Sequence, residues 1–168
     1  MKILILGVVA SGKTTLAKRM SVENNINYYE IDSIIKDYKN GLRRTDEEQQ
    51  EEIERINSQP SWIIAGNLSD NMYNLLKLAD IIIYLDTPLH VRKRRLFYRF
   101  IKQKLKIEEC DYKPNIKTLR EEYKETDEAE RYKDRLKNEL LRYDQKVFVL
   151  RDADQMIKNI DKVQQNVR

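Results

Sequence analysis

The residues from Gly7 to Thr14 have the types and spacing of a loop that binds phosphate. They read Gly-Val-Val-Ala-Ser-Gly-Lys-Thr and satisfy the pattern G-x-x-x-x-G-K-[S/T]. Glycines allow backbone conformations and a close approach that a Cβ atom would block, so successive N–H groups can point at phosphate oxygens. Lys13 is placed to reach the β- and γ-phosphates of a nucleoside triphosphate, and the Thr14 hydroxyl is placed to bind Mg²⁺. The predicted contacts with ATP or a related nucleotide are Gly7, Val8, Val9, Ala10, Ser11, Gly12, Lys13, Thr14 and Thr15.

The elements around this loop follow the order of an α/β protein with a parallel sheet. Short apolar segments that alternate with longer helical segments indicate that class. The predicted strands are residues 3–6, 28–31, 62–65, 81–85 and 146–150. The predicted helices are residues 12–23, 68–78, 89–143 with an interruption around 107–114, and 155–163. The sequence therefore predicts a five-stranded parallel sheet flanked by helices, with the loop between the first strand and the first helix.

Two further helix starts have local signals. Thr45 and Glu48 have the spacing of a capping box, which predicts a helix from Asp46. Because that helix has few apolar residues, we expect it to pack loosely on the body of the protein. Thr87-Pro88 predicts a second start, with threonine as the N-cap and proline as the first helical residue.

Composition limits the class of protein without selecting a ligand. A chain of 168 residues fits one domain, and a net charge of +4 with an isoelectric point near 9.0 fits anionic ligands. Cys110 is the only cysteine, which excludes an intrachain disulfide and favours a reducing, cytoplasmic location. The N-terminal apolar segment of residues 3–6 is too short for an export signal or a membrane span. No motif indicates the oligomeric state.

Side chains outside the loop have the types needed for phosphoryl transfer. Asp32 follows the second predicted strand, at the sheet edge where ligands bind, and is a candidate to orient an acceptor hydroxyl, act as its base or bind Mg²⁺ through water. A simple helix N-cap is the alternative. Arg92, Arg95 and Arg99 share one face of the helix after Pro88, where guanidinium groups can neutralise a transferring phosphoryl group. A solvated basic surface is the alternative for these arginines.

The absence of an Asn-Lys-x-Asp motif argues against a GTPase of the Ras type, and the short chain argues against motor and helicase ATPases. A small-molecule or nucleotide kinase remains. The chain resembles the adenylate-kinase-related proteins of the DNA topology modulation family. The segments that carry this resemblance are the loop at residues 7–14, Glu30-Ile-Asp32, Trp62-Ile-Ile-Ala-Gly-Asn67, and Ala79-Asp-Ile-Ile-Ile-Tyr-Leu-Asp-Thr-Pro88 with the arginine-rich helix that follows.

The resemblance implies a nucleotide kinase-like fold in a single domain, residues 1–168, with an acceptor-side segment at about 33–60 and a helical lid segment at about 88–143. It also implies that Arg95 and Arg99 are lid arginines. The acceptor-side segment contains Arg43 and Arg44, candidates for an acceptor phosphate, and Asn67 is a candidate to hydrogen-bond the acceptor. The family generally has an aspartate where this chain has Ala65, so Asp32 or Asp86 takes over its role in magnesium binding, or phosphoryl transfer is impaired.

Two other functions stay open at this point. Ala65 favours a nucleotide-binding regulator with little turnover. Residues 90–106 contain eight lysines or arginines and no acid, with Phe97, Tyr98 and Phe100 between them, a pattern that fits nucleic-acid binding. Acidic residues in 121–139 are able to neutralise that basic segment, and the only histidine, His90, is expected at the surface.

Overall fold

The computed structural model describes residues 1–37, 41–107 and 115–151. The strands are β1 (Lys2–Gly7), β2 (Tyr28–Glu30), β3 (Lys36–Asp37), β4 (Leu42–Arg43), β5 (Trp62–Gly66), β6 (Ile81–Leu85) and β7 (Val147–Leu150). The helices are α1 (Lys13–Asn24), α2 (Ile31–Ile35), α3 (Asp46–Asn57), α4 (Asn74–Leu78), α5 (Leu89–Lys104) and α6 (Ile116–Leu140). Five strands form one parallel sheet in the order β2-β5-β1-β6-β7, which confirms the predicted sheet. The strands β3 and β4 form a separate antiparallel pair.

Apolar side chains cover both faces of the sheet, as expected when helices pack on both sides of parallel strands. One face contacts α1 through its buried residues Leu16, Ala17 and Met20, the three that the sequence places on its inner side. The other face packs against α2, α3, α4 and α6, and this cluster includes the fully buried Trp62. Among the described residues, no helix combines the length and apolar character needed to cross a bilayer.

The helix α3 begins at Asp46 with the predicted capping box, in which the Thr45 hydroxyl accepts from the Glu48 amide. The expectation of loose packing is wrong. Ile53 and Ile56 are fully buried in the main core, and burying two such side chains stabilises the fold by about 3–6 kcal/mol on transfer scales. Two well-placed isoleucines therefore anchor an otherwise polar helix.

The second predicted strand is shorter than expected. It ends at Glu30, and Ile31 begins the short helix α2, so Asp32 lies in the first turn of a helix and not at a strand end. Gly66 accommodates this bend, because a Cβ atom there would lie 2.5 Å from the Ile31 Cβ. The glycine lets the start of α2 pack directly against the end of β5.

Several other element boundaries differ from prediction, and helix α6 ends at Leu140 rather than at residue 143. The predicted helix 68–78 is divided into a 3₁₀ turn, Asp70–Met72, and α4. Thr87 is not an N-cap: Pro88 holds that position, and the Thr87 hydroxyl donates instead to the Ser11 carbonyl, at 3.0 Å. The last strand starts at Val147 rather than at residue 146. The predicted helix 155–163 and Cys110 lie outside the described residues.

Candidate functional site

The loop between β1 and α1 has the backbone of a phosphate cradle. Gly7, Ala10 and Gly12 have positive φ angles of 155°, 59° and 102°. A Cβ atom at Gly7 would lie 2.7 Å from the Ser11 Oγ and 2.9 Å from the Leu85 carbonyl oxygen, so this position requires glycine. Gly12 is the N-cap of α1, and its carbonyl accepts from the Leu16 amide at 3.0 Å. The amides at the start of α1 and the positive end of its dipole therefore face the loop.

Lys13 is folded back onto this loop. Its Nζ donates to the Val8 carbonyl oxygen at 3.0 Å. Burial lowers the pKa of Lys13 to about 8; the charges of Asp32 and Glu30 oppose this shift, and the charge of Arg92 adds to it. A partly desolvated ammonium group held in this way is poised to exchange its carbonyl partner for phosphate oxygens.

A cleft of about 240 Å³ opens beside the loop. One wall is the start of α1 with the exposed Thr14 and Thr15, and the other wall comes from α5. The residues that line the cleft are Ala10, Gly12, Lys13, Thr14, Thr15, Arg95, Leu96 and Arg99. The structure thus brings two of the three predicted arginines to the predicted loop.

The three α5 arginines differ in depth. Arg95 donates from Nη1 to the Ser11 carbonyl oxygen at 2.7 Å and also lines the cleft. Arg99 lies further out, where its Nη2 donates to Glu122 of α6 at 2.7 Å. Arg92 is fully buried, and its guanidinium contacts carbonyl groups and Glu130 rather than the cleft. Arg92 therefore does not line the cleft with the other two arginines, and its contacts support the loop instead.

Of the two positions at this sheet edge that bear on magnesium binding, one has an exposed carboxylate and the other has an alanine. Asp32 is exposed in the first turn of α2, and its charge acts on Lys13. Ala65 is buried in β5, paired in register with Glu30 on one side and Ile5 on the other. The carboxyl ends of β1, β2 and β5 meet here, so this is the edge at which an aspartate in place of Ala65 would stand beside the loop.

Asp86, the other acid considered for magnesium, has different partners. Its carboxylate contacts Lys133 at 2.6 Å and Lys137 at 2.9 Å, both on α6. Burial alone would raise the pKa of Asp86, but hydrogen bonds from the two lysines more than offset this and hold the pKa below its usual value. The position of Asp86 therefore fits an anchor for α6.

The residues predicted to bind the acceptor lie in different places and have different contacts. Arg44 donates from Nη1 to the Ser33 and Ile34 carbonyl oxygens at 2.7 and 3.0 Å, so it closes the end of α2. Arg43 is exposed on β4, and Asn67 is exposed directly after β5. Asn67 lies at the sheet edge near the loop. The hydrogen bonds of Arg44 to the carbonyl groups of α2 give this residue a structural role, and its contact with an acceptor phosphate stays a prediction. His90 is exposed on α5, as expected.

Sequence reasoning indicated that acids in residues 121–139 can neutralise the basic segment, but it did not identify the individual pairs. Glu122, Asp127 and Glu130 form ion pairs with Arg99, Lys93 and Arg92 respectively. Part of the basic segment is thus neutralised within the fold, in line with the argument against nucleic-acid binding. The signal was the near-helical spacing of these acids, although spacing alone does not tell which arginine each one meets. Within residues 1–37, 41–107 and 115–151, no group of three His, Cys, Asp or Glu side chains is arranged to hold a metal ion.

Comparison with known proteins identifies the fold. No protein-family model and no curated protein sequence matches the chain. The structure is similar to shikimate kinase from Acinetobacter baumannii in complex with shikimate, with a TM-score of 0.59 and 16% identity over 98% of this chain and 93% of that one. Shikimate kinase from Aquifex aeolicus vf5 gives 0.53 and 14% over 98% and 96%. Deoxyadenosine kinase from M. mycoides gives 0.52 and 16% over 98% and 100%. The chain therefore has a P-loop kinase fold, which confirms the predicted fold class.

Proposed function

We propose that this protein is an ATP-dependent kinase that transfers the γ-phosphoryl group to a small acceptor. The observation that carries the proposal is the cleft in which Lys13 and Thr14 of the loop face Arg95 and Arg99 of α5. Cations on two sides of one cleft match the charge of a triphosphate, and a transferring phosphoryl group needs that charge neutralised. The resemblance to topology modulation proteins and the fold likeness to small-molecule kinases support the same reaction class.

Each group has a stated part in this proposal. The loop amides and Lys13 bind the β- and γ-phosphates, and the Thr14 hydroxyl helps hold the Mg²⁺ that the nucleotide carries. Arg95 and Arg99 neutralise charge on the transferring group. Asp32, exposed and within electrostatic reach of Lys13, orients the acceptor or binds the metal's water shell. The acceptor occupies the side of the loop formed by the ends of β2 and β5, in the segment that includes residues 33–60.

Ala65 supports a second candidate, a nucleotide-binding regulator with little turnover. Binding relies on the loop, whereas transfer also needs a carboxylate to organise Mg²⁺, and β5 supplies none at this position. The two candidates therefore differ in turnover and agree on nucleotide binding. A cytoplasmic location remains a prediction in both cases.

The experiment is a pair of measurements on wild type and two lysine variants. Isothermal titration calorimetry with Mg-ATP should give binding that Lys13→Ala weakens at least 100-fold, because a charged hydrogen-bond donor to phosphate is lost. Lys18→Ala, which removes an exposed cation from the same helix, should leave affinity within about twofold. A coupled assay then tests nucleoside monophosphates, nucleosides, sugars and other small alcohols as acceptors.

The outcomes separate the candidates. Product formation from one acceptor, lost in Lys13→Ala, supports the kinase. Tight Mg-ATP binding without product from any acceptor supports the regulator. Wild-type protein that is folded and binds no nucleotide contradicts both.

A further inference from the structure

Arg92 is the most deeply buried cation of the described chain, and it contacts the loop at residues 7–14, helix α6 and the Thr87 carbonyl between β6 and α5. Its Nε donates to the Thr87 carbonyl oxygen at 3.2 Å, and its Nη1 donates to the Val9 carbonyl oxygen at 3.4 Å. Its Nη2 forms an ion pair with the Glu130 carboxylate. A buried guanidinium without a counterion is strongly destabilising, so Glu130 makes the buried position of Arg92 possible.

Glu130 also belongs to a series of ion pairs that connects α6 to a second side of the loop. Its Oε2 lies 3.8 Å from the Lys133 Nζ, and Lys133 contacts Asp86 at 2.6 Å. Asp86 directly follows β6, whose last residue is paired in register with Gly7. The loop is therefore held at Val9 through Arg92 and beside Gly7 through Asp86, and both connections start from α6.

We propose that Glu130 is a positioning residue for the nucleotide site: by holding Arg92 against the Val9 carbonyl, it fixes the loop in the conformation that binds phosphate. The inference rests on the proposed nucleotide binding and adds α6 to the parts that create it. Without the carboxylate, the guanidinium turns toward water, the Val9 carbonyl loses a donor, and the loop amides lose their fixed directions.

A purely electrostatic role for Glu130 would change the nucleotide affinity in the opposite direction. If Glu130 acted only through its charge, removing it would make the site more positive by one unit, and an anionic nucleotide would bind more tightly. Positioning predicts weaker binding. The direction of the change therefore distinguishes the two roles without any need for an absolute value.

The test compares Glu130→Gln with Glu128→Gln. Both variants remove one negative charge from α6, but Glu128 is exposed and pairs only weakly with Lys124 on its own helix, at 3.8 Å. Calorimetry with Mg-ATP, and with magnesium tripolyphosphate as a probe that lacks a base, should show affinity about tenfold or more lower for Glu130→Gln with both ligands. Glu128→Gln should stay within about twofold of wild type.

Several outcomes would overturn the inference. Unchanged or tighter binding by folded Glu130→Gln does so, and so does an equal loss in Glu128→Gln. If Glu130→Gln does not fold, Glu130→Asp keeps the charge and shortens the side chain by one methylene; weaker binding supports positioning, and wild-type affinity overturns it. Failure of wild type to bind Mg-ATP, or wild-type affinity in Lys13→Ala, contradicts the proposed function itself and is thereby distinguished from failure of the inference.

Discussion

Nucleotide affinity should fall as the pH rises above neutrality, because Lys13 loses its proton in the free protein. Burial lowers the pKa of Lys13 to about 8, and the nearby charges of Asp32 and Glu30 only partly oppose this effect. Phosphate oxygens stabilise the ammonium form, so the pKa is higher in the complex than in the free protein. Binding near pH 8 therefore takes up a proton, and the affinity must decrease with increasing pH through that range.

The magnitude follows from the fraction of Lys13 that is protonated. For a pKa of about 8, the apparent dissociation constant is multiplied by 1 + 10^(pH − 8), which is about 1.1 at pH 7 and about 33 at pH 9.5. Affinity should therefore be roughly 30-fold lower at pH 9.5 than at pH 7. A lysine with an ordinary pKa of about 10.4 would change affinity by only about 10% over the same interval.

Calorimetry measures the same linkage directly. At pH 8, titration of Mg-ATP in two buffers with different ionisation enthalpies should give an uptake of about half a proton per nucleotide bound. Phosphate groups contribute little there, because the second pKa of a phosphate monoester is near 6. Lys13→Arg provides the control, since a guanidinium stays protonated throughout and should give a flat profile even if it binds less tightly.

A flat wild-type profile up to pH 9.5, together with weak binding by Lys13→Ala, would refute this reasoning. It would show that Lys13 contacts the nucleotide but is not desolvated in the free protein. The contact between Lys13 and the Val8 carbonyl would then not describe the resting state of the loop.

Three further predictions concern other parts of the site. Gly66→Ala should lower the free energy of unfolding by about 1–3 kcal/mol in urea titrations, because its Cβ would lie 2.5 Å from the Ile31 Cβ; equal stability would mean that α2 shifts freely. Arg99→Ala should reduce turnover about 100-fold in initial-rate assays and change Mg-ATP affinity much less in calorimetry. Because the ion pair between Arg99 and Glu122 is partly exposed, the free energy of unfolding should change by less than about 1 kcal/mol. Ala65→Asp should raise turnover at least tenfold at saturating Mg²⁺ and destabilise the fold by about 1–3 kcal/mol, and unchanged turnover would show that the missing carboxylate does not limit transfer.

The sequence alone predicted the structural features whose physical cause is local. The loop at residues 7–14 is recognisable from its glycines and from the helix that it starts, and the capping box of Thr45 and Glu48 acts within four residues. The strands β1, β5 and β6 were recognisable because each is a short, largely buried apolar segment, and the partly buried β2 and β7 are short segments rich in aromatic or β-branched residues. These features needed no knowledge of distant contacts.

The sequence alone did not predict the contacts between residues that are far apart along the chain. Helical spacing places Arg92, Arg95 and Arg99 on one face, but it does not give their depth, which depends on how α5 crosses the loop. Glu130 lies 38 residues beyond Arg92, and Glu122 lies 23 beyond Arg99. The bend at Ile31 likewise depends on Gly66 in another strand. Tertiary contacts decided which arginine faces the cleft and which supports it.

In the proposed kinase, nucleotide binding and phosphoryl transfer depend on different parts of the molecule. The groups proposed to contact phosphate are tightly bonded, Lys13 to the Val8 carbonyl and Arg95 to the Ser11 carbonyl, and the buried Arg92 holds the loop through Val9 and Glu130. The group assigned to metal and acceptor chemistry, Asp32, is exposed on a short helix. Rigid support of this kind favours nucleotide binding before an acceptor arrives, whereas transfer requires the acceptor side to become ordered around Asp32. Substitutions near α2 should therefore alter turnover at constant nucleotide affinity, and substitutions at the contact between Arg92 of α5 and Glu130 of α6 should alter affinity first.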